Sequence, residues 1–296
     1  MSPDREAADA ANAADTASGL PAFTLLMPVY RADQPEHVRI ALESSVAGQR
    51  LMPSEVVIVQ DGPVPDALAA ELDLLQEESP VPVQLVVLPE NRGLTEALNA
   101  GLAAASSPVI ARIDADDFST PERFATQLPL IADGHDLVGS GMYEFAEDPA
   151  VPGSVRVPPV GAARIREHAR THNPFNHPTM VYRRRALAEI GDYAEFGQME
   201  DYWLGIRLIN AGARVENIAE PLVGYRVGAG AFARRGGWAQ ARTEWRLQGE
   251  LRRMGFITTA QYLRNVVIKG AYRLIPTGLR ERLFRRFVAG GLRGDR

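Results

Sequence analysis

Three aspartates, Asp114, Asp116 and Asp117, directly follow residues 109–113, four of which are apolar. Carboxylates this close repel one another unless a cation or a strongly polar partner lies between them. On an extended segment, residues i and i+2 project to the same side, so Asp114 and Asp116 are predicted to point together while Ala115 points away. Paired carboxylates in a chain without cysteine favour Mg²⁺ or Mn²⁺ over Zn²⁺, with a substrate diphosphate completing the site. The alternative is a solvated turn in which Asp117 only caps a helix.

A second acidic pair, Glu200 and Asp201, precedes the segment "YWLGIRLINAG". A carboxylate at this position can act as a general base that takes a proton from an attacking hydroxyl. Acidic residues are also favourable at the start of a helix, because the helix dipole is positive there. The residues alone leave both interpretations open.

Apolar runs and helical segments alternate up to the aspartate cluster. The runs "FTLLMPVY", "EVVIVQDG", "VQLVVLPENRG" and "PVIARIDADD" predict four strands, and helices are predicted between them at about 36–48, 65–78 and 94–106. This alternation predicts an α/β fold with a mostly parallel sheet covered on both faces. Ligands bind outside the carboxyl ends of such strands, and each run here ends in polar or turn-forming residues. The pattern therefore predicts one site along this edge of the sheet.

The elements after the aspartates are predicted from shorter signals. A helix at about 121–133 is expected to begin in "STPER", with Ser119 or Thr120 as its N-cap and Pro121 in its first turn. "DLVGSGMYEF" predicts a further strand, and the Pro- and Gly-rich segment 149–162 predicts a loop over the site. From about residue 237 the pattern is helical.

The composition excludes several classes of protein. The 296 residues are 46% hydrophobic and 23% charged, which is typical of soluble globular proteins, and the absence of cysteine excludes disulfides and thiolate chemistry. No apolar run approaches the roughly 20 residues that span a bilayer. The N-terminus lacks the basic and apolar regions of a signal peptide, so residues 1–20 are predicted to form a disordered leader.

Seven motifs together resemble the family 2 glycosyltransferases of bacterial polysaccharide synthesis, in particular the amylovoran-type exopolysaccharide enzymes. They lie within about residues 22–228, in family order: "LLMPVYR", "VVIVQDGP", "NRGLTEALNAGL", "RIDADD", "NPFNHPTMVYRR", "MEDYWLGIRLINAG" and "NIAEPLVGYRVG". The resemblance implies a GT-A fold, here placed at residues 21–235. It also implies transfer of a sugar, with inversion, from a UDP or dTDP donor to a hydroxyl of a saccharide acceptor that is lipid-linked.

The resemblance assigns residues to the nucleoside of the donor. Pro28, Val29 and Tyr30 would line the nucleoside pocket at the end of the first strand. Asp61 would face the base. Many members carry two aspartates before the following glycine, whereas Gln60 stands at the first of these positions here, so Asp61 alone would serve.

The remaining roles concern the diphosphate and the reaction. Arg92 would approach the base or the diphosphate, since an arginine matches phosphate geometry. Asp114 would contact the ribose, and Asp116, the second carboxylate of the D-x-D pattern, would bind the metal. The resemblance makes Asp201 the catalytic base, with Glu200 as a supporting contact to the acceptor.

Four further residues have a structural and a functional interpretation. His177 in "FNHPT" could reach the phosphates or the acceptor, or could be a structural hydrogen-bonding residue. The case for Asn173 is weaker than that for His177. Tyr202 and Trp203 are interpreted as core residues of their helix rather than as a platform for a sugar.

The net charge of −5 is unevenly distributed along the chain. Residues 1–225 carry 16 basic and 33 acidic side chains, whereas residues 226–296 carry 16 basic and 4 acidic ones. Apolar and cationic residues share helical spacing in 256–289, which predicts an amphipathic helical tail at 236–296 that lies on an anionic membrane surface. The alternative is that these helices pack on the catalytic domain with solvated arginines.

No nucleic-acid recognition motif accompanies the charge. We therefore predict a cytoplasmic protein bound peripherally to the inner face of the plasma membrane.

Two other functions are compatible with paired aspartates on a nucleotide-binding sheet. A sugar-phosphate nucleotidyltransferase is expected to carry a Gly-rich phosphate loop after its first strand, and "MPVYRADQPEHV" has no such glycines. A non-catalytic scaffold that binds nucleotide sugars would not need Asp114, Asp116 and Asp201 together.

Overall fold

The computed structural model describes residues 19–227 and 238–274. These residues divide into two units: 19–195 with 200–227, and 196–199 with 238–274. Residues 1–18 of the predicted leader and residues 275–296 of the predicted tail lie outside the described residues. The predicted boundaries at 21, 235 and 236 therefore remain predictions.

The first half of the larger unit is a parallel sheet. Its strands are β1 (Phe23–Tyr30), β2 (Glu55–Asp61), β3 (Val83–Leu88) and β4 (Val109–Arg112), in the spatial order β3-β2-β1-β4. Helices α1 (Pro35–Ser45), α2 (Asp66–Glu78) and α3 (Leu94–Ala104) alternate with them. Every residue of β1 except Tyr30 is buried, because helices cover the sheet and an uninterrupted apolar run suits both covered faces.

The second half turns the sheet into a mixed one. The order continues from β4 through β8 (Val181–Arg183), β6 (Leu137–Phe145), β9 (Val215–Arg226) and β5 (Phe118–Ser119), and β7 (Val155–Arg156) pairs with β6. Strand β8 is antiparallel to both β4 and β6, whereas β6 and β9 are parallel. The predicted α/β fold is confirmed, and the parallel character resides mainly in β1 to β4.

Four helices and one 3-10 turn complete the larger unit. They are α4 (Arg123–Ala132), α5 (Ala162–His168), the 3-10 turn His177–Thr179, α6 (Arg184–Glu189) and α7 (Glu200–Asn210). The predicted N-cap of α4 is wrong. The helix begins two residues later than expected and has no side-chain cap, because Ser119 belongs to β5 and Thr120 Oγ1 donates to the carbonyl of Leu222 in β9. Strand pairing uses the residues that the sequence assigned to the helix start.

The smaller unit contains α8 (Trp238–Arg253) and α9 (Thr259–Leu274). Buried amides join the two helices: Asn265 Nδ2 donates to Gln248 Oε1 at 2.9 Å, and Gln248 Nε2 donates to Glu244 Oε1 at 3.0 Å. Segment 196–199 belongs to this unit, and the Arg246 guanidinium lies 4.4 Å from the centre of the Phe196 ring.

One face of α9 is apolar and exposed to solvent. Leu263, Val267 and Ile268 are 57, 68 and 60% exposed. Neither these two helices nor any other helix in the described part of the chain has the length and apolar character needed to cross a membrane.

Candidate active site

The predicted edge of the sheet holds a buried ion pair at the end of β4. Arg112 is 1% exposed, and its two terminal nitrogens donate to the two oxygens of Asp114, one of them at 3.2 Å. A guanidinium fork matches a carboxylate in this bidentate way and fixes its orientation. The pair therefore explains how a full charge is kept in the core beneath the site. Sequence reasoning missed Arg112, because nothing local distinguishes it from a solvated arginine.

Asp116 is the second carboxylate of the D-x-D pattern and, like Asp114, is partly buried. Burial, followed by the negative charge of Asp114, raises the pKa of Asp116 to about 6. Its backbone carbonyl accepts a hydrogen bond from Arg226 Nε at 2.9 Å, which ties the turn to β9. A carboxylate whose ionisation is opposed by a neighbouring carboxylate is stabilised by a bound cation.

Asp117 is fully buried and caps no helix. One oxygen accepts the backbone N–H of Arg226 at 3.0 Å, and its Oδ2 has no hydrogen-bond partner. Burial, followed by the charges of Asp114 and Asp116, raises the pKa of Asp117 well above its ordinary value, so the carboxyl favours its neutral form. Its role is to hold the end of β9 against the aspartate turn.

A further acidic residue, Asp33, belongs to this cluster. Its Oδ2 accepts the backbone N–H of Tyr30 at 2.8 Å. Burial raises the pKa of Asp33 to about 7; the hydrogen bond from Tyr30 opposes this rise, and the charges of Asp116 and Asp114 contribute to it. The sequence analysis assigned only residues at the ends of the strands to the site and therefore missed Asp33. This residue lies three positions beyond β1, and its side chain turns back to the end of that strand.

The residues predicted to bind the donor on β1 and β2 lie next to one another. Tyr30 pairs with Asp61 in the β1–β2 register, and Tyr30 is 42% exposed while Pro28 and Val29 are buried. Tyr30 therefore presents a ring at the mouth of the site, and Pro28 and Val29 support it from the strand.

Asp61 fastens the turn that precedes α3. Its Oδ1 accepts a hydrogen bond from the backbone N–H of Arg92 at 2.6 Å. Its Oδ2 accepts one from the backbone N–H of Gly93 at 2.9 Å and one from the side-chain Nδ2 of Asn91 at 2.8 Å. The Arg92 side chain is exposed and lies 3.4 Å from Glu90. Both oxygens of Asp61 are thus used to shape the edge of the pocket, and direct contact of Asp61 with a base stays a prediction.

The backbone needs glycine where this turn meets β2. Gly62 has φ of +82°, and a Cβ there would lie 2.4 Å from the backbone nitrogen of Asn91. No side chain fits at that distance, so the "DG" sequence after β2 brings the two turns into contact.

The second acidic pair begins α7. Asp201 Oδ2 accepts a hydrogen bond from Asn173 Nδ2 at 2.7 Å, and its Oδ1 accepts the backbone N–H of Tyr202 at 2.7 Å. Burial raises the pKa of Asp201 to about 6, and burial followed by the charge of Asp201 raises that of Glu200 to about 7. A base with such a pKa is ionised at neutral pH yet close enough to it to accept a proton.

Arg112 links the two acidic pairs electrostatically. Its positive charge lowers the pKa values of Asp116, Glu200 and Asp201, partly offsetting the effect of burial at each of them. Charges inside a protein interact most strongly over short distances. Both acidic pairs are therefore within the range of the Arg112 charge at the end of β4. The structure therefore assembles residues that lie more than 80 positions apart in the sequence.

His177 is held within a hydrogen-bonded group. Its Nε2 lies 3.0 Å from the hydroxyl of Tyr193, whose backbone is bonded in both directions to the amide of Asn99 at 3.0 Å. Burial, followed by the charge of Arg112, lowers the pKa of His177 well below its ordinary value. It therefore has no positive charge for a phosphate at neutral pH, and direct contact with the acceptor stays a prediction.

The aromatic residues of α7 are part of its packing. Tyr202 is 5% exposed and its hydroxyl donates to the carbonyl of Ala169 at 2.8 Å. The guanidinium of Arg207 lies 5.9 Å from the centre of the Trp203 ring.

The mixed sheet with its parallel half and flanking helices is the fold of the GT-A glycosyltransferases. A mannosyltransferase from Pyrobaculum calidifontis, solved with GDP-Man and Mn²⁺, has the same fold, with a TM-score of 0.61 at 17% identity over 93% of this chain and 76% of that one. Residues 24–191 match the description "Glycosyl transferase family 2". The chain belongs to this family, as the sequence predicted.

Two relatives match over nearly their whole length. The amylovoran biosynthesis glycosyltransferase AmsE of Erwinia amylovora is 34% identical over 88% of this chain and 97% of its own. A UDP-Gal:α-D-GlcNAc-diphosphoundecaprenol β-1,3-galactosyltransferase of Escherichia coli is 28% identical over 90% of this chain and 97% of its own. These matches do not support the nucleotidyltransferase alternative.

Proposed function

We propose that the protein is an inverting glycosyltransferase that transfers a sugar from a nucleoside diphosphate donor to a hydroxyl of a lipid-linked saccharide. The observation that supports the proposal is that the buried Arg112 is bonded to Asp114 and that its charge also acts on Asp116 and Asp201. Donor-binding carboxylates and a general base are the two parts that a single displacement at the anomeric carbon needs.

On the donor side, the nucleoside is assigned to the surface between Tyr30 and Asp61, and the ribose to Asp114. Tyr30 presents its ring at the end of β1, and Asp61 shapes the facing turn. Asp114, oriented by Arg112, accepts hydrogen bonds from the ribose hydroxyls. Arg92, exposed on the turn before α3, is the cation assigned to the base or the diphosphate.

The residues present fit a divalent cation. Among residues 19–227 and 238–274, no three acidic or histidine side chains converge as a complete metal cage. One or two carboxylates together with substrate phosphates are the usual ligands of Mg²⁺, and Asp116, with its raised pKa, is the carboxylate that would hold Mg²⁺ or Mn²⁺. Such an ion, when bound, supplies Lewis-acid stabilisation of the leaving diphosphate.

Asp201 acts as the general base. The acceptor hydroxyl attacks the anomeric carbon from the face opposite the diphosphate, its proton passes to Asp201, and the bond between the anomeric carbon and the diphosphate oxygen breaks with its electron pair. One displacement inverts the configuration and needs no covalent sugar–enzyme intermediate. Asn173 keeps the Asp201 carboxylate in place, and Glu200 supports the acceptor.

The relatives indicate the substrate class. The E. coli relative uses UDP-Gal and an acceptor linked through a diphosphate to undecaprenol, and AmsE acts in amylovoran biosynthesis. Because this chain is similar to these relatives, we propose that its donor is a uracil or thymine nucleotide sugar and that its acceptor is linked to a polyprenol.

The exposed apolar face of α9 supports peripheral attachment to the membrane. Leu263, Val267 and Ile268 share one side of the helix, and exposed Arg264 lies among them. An apolar face with adjacent basic side chains binds the interface of anionic membranes. Attachment of this kind brings the enzyme to a lipid-linked acceptor on the inner leaflet.

The experiment that tests the function measures release of the nucleoside diphosphate. Wild type is incubated with UDP- and dTDP-sugars, Mn²⁺ and GlcNAc joined through a diphosphate to a short alkyl chain. We expect Asp116→Asn and Asp201→Asn each to lower turnover by about 10²–10⁴-fold. Asp73→Asn, an exposed aspartate on α2, is the matched control and keeps wild-type turnover. Near wild-type turnover in both site variants would refute the assignment, and lack of turnover with every donor would favour the scaffold alternative.

A further inference from the structure

A cavity lies next to Asn173, the residue whose side chain is bonded to the proposed base. Its volume is about 370 Å³, and its lining comes from two chain segments and one helix end: Val157, Pro158, Pro159, His168, Asn173, Pro174, Phe175 and Asn176. Small-molecule sites occupy about 300–1,000 Å³, so the cavity is large enough for a small ligand.

Asn173 connects this cavity to the base. It is part of the cavity wall, and its amide nitrogen donates to Asp201 Oδ2 at 2.7 Å. The backbone N–H of Phe175 donates to Asn173 Oδ1 at 3.2 Å, which fixes the plane of the amide. A ligand in the cavity therefore contacts the residue that orients the Asp201 carboxylate.

The walls of the cavity are held together by one buried amide. Asn217 on β9 is 1% exposed, and its Nδ2 donates to the carbonyls of Pro159 at 2.8 Å and Pro174 at 3.0 Å. Gly139 on β6 leaves the space for this side chain, since a Cβ there would lie 2.3 Å from Asn217 Oδ1. Because both walls depend on Asn217, the cavity is formed before any ligand binds.

A neighbouring carboxylate fixes the strand that carries Asn217. Glu216 Oε1 accepts the backbone N–H of Gly161 at 2.6 Å and that of Asn217 at 2.8 Å. The segment 157–161 is therefore anchored at its end as well as at Pro159, although the sequence predicts it to be a loop.

The lining is suited to a neutral ring with hydroxyl groups. No arginine or lysine belongs to this cavity in the described part of the chain, so it lacks the charge that a diphosphate requires. Proline rings and Val157 offer apolar surface for the C–H face of a pyranose, and Asn173 and Asn176 offer amides for its hydroxyls. Asn176 is fixed by a 2.9 Å bond from its Nδ2 to the carbonyl of Ser140.

We propose that this cavity is the subsite for the terminal pyranose of the acceptor, and that residues 157–159 and 173–176 determine which sugar is accepted. The proposal rests on the proposed function and deepens it by naming the side of Asp201 on which the acceptor binds. The nucleotide and the metal are assigned to Asp114 and Asp116, neither of which lines this cavity.

The test fills the cavity without disturbing the core. Val157 is 60% exposed, so Val157→Trp adds volume at the rim of the cavity, and Val151→Trp is the matched control on the same segment at a position 68% exposed that does not line the cavity. Binding of methyl glycosides of common hexoses and N-acetylhexosamines is followed by saturation-transfer NMR in the presence of UDP and Mn²⁺. His168→Ala serves as a second variant that opens the cavity instead of filling it.

We expect at least one methyl glycoside to bind wild type and Val151→Trp, and its affinity to fall at least tenfold in Val157→Trp and measurably in His168→Ala. Absence of binding to wild type, or equal binding to Val157→Trp, would overturn the assignment. Calorimetric titration with UDP and Mn²⁺ separates the two levels of inference. If wild type binds UDP but no glycoside, the assignment of the cavity is wrong and the proposed function stands. If wild type does not bind UDP, the proposed function itself is contradicted.

Discussion

The side-chain amide of Asn173 donates a 2.7 Å hydrogen bond to Oδ2 of Asp201, which makes one residue both a wall of the acceptor-side cavity and a partner of the base. This bond favours the ionised form of Asp201 and opposes the effect of burial on its pKa. Orientation and ionisation of the base therefore depend on a residue that the sequence ranked below His177.

Asn173→Ala is expected to lower kcat by about 10- to 100-fold, since hydrogen bonds to charged groups contribute about 1.5–3 kcal/mol. The pKa seen on the acid side of the rate profile should also rise, because the bond that stabilises the carboxylate is lost. Steady-state kinetics over a pH series measure both effects. An unchanged profile with reduced kcat would mean that Asn173 acts on the fold and not on the base.

The transfer rate should fall on the acid side with an apparent pKa of about 6. Burial raises the pKa of Asp201 to that value, so the base is ionised above pH 6 and protonated below it. We expect kcat/KM for the acceptor to fall tenfold for each pH unit well below 6. A rate that is level down to pH 4.5 at constant donor saturation would contradict the role of Asp201.

Arg112→Lys is expected to raise the KM for the donor about tenfold. A lysine keeps the positive charge but cannot hold both oxygens of Asp114, so the ribose contact loses its orientation. Arg184→Lys is the matched control, because Arg184 forms a bidentate pair with Asp192 at 2.6 and 2.9 Å outside the donor contacts. Equal donor KM values in the two variants would argue against the proposed role of Arg112. Thermal unfolding of both variants shows whether a change in donor KM comes from lost donor binding or from lost stability.

Asp33→Asn is expected to stabilise the protein at pH 8 when metal and donor are absent. Burial raises the pKa of Asp33 to about 7, so its charged form costs stability in the folded state. The gain should be fully present above about pH 7 and should shrink as the pH falls toward 4, where the unfolded carboxyl is also protonated. A gain of about 1 kcal/mol corresponds to a rise in Tm of about 2–4 °C. A Tm difference that does not vary with pH would refute this explanation.

Membrane attachment should depend on the exposed face of α9. Replacement of Leu263, Val267 and Ile268 by glutamine in the full chain is expected to lower the fraction that floats with vesicles of anionic lipid at least fivefold. The matched control carries glutamine at Met52, Leu74 and Val87, which are 48, 44 and 56% exposed in the larger unit. Equal flotation of the two triple variants would rule out anchoring by this face.

The strands β1 to β4 and the polar residues at their ends could be predicted from the sequence, because each strand is an apolar run long enough to be covered on both faces. The D-x-D turn and the acidic pair of α7 could be predicted because both are contiguous in the chain. The start of α4 could not, since Ser119 and Thr120 carry the signal of an N-cap and yet pair with β9.

The sequence by itself determined the family, the positions of the first four strands along the chain and the types of residue available for the chemistry. Motifs and hydrophobic periodicity can be read from neighbouring residues in the chain. The tertiary structure alone decided that Arg112 orients Asp114, that Asp33 returns to the aspartate cluster and that Asn217 joins Pro159 to Pro174. A buried polar group must find its partner among whatever the packed chain brings within about 3 Å, and in the case of Asn217 those partners lie 58 and 43 residues away. No local pattern records that choice.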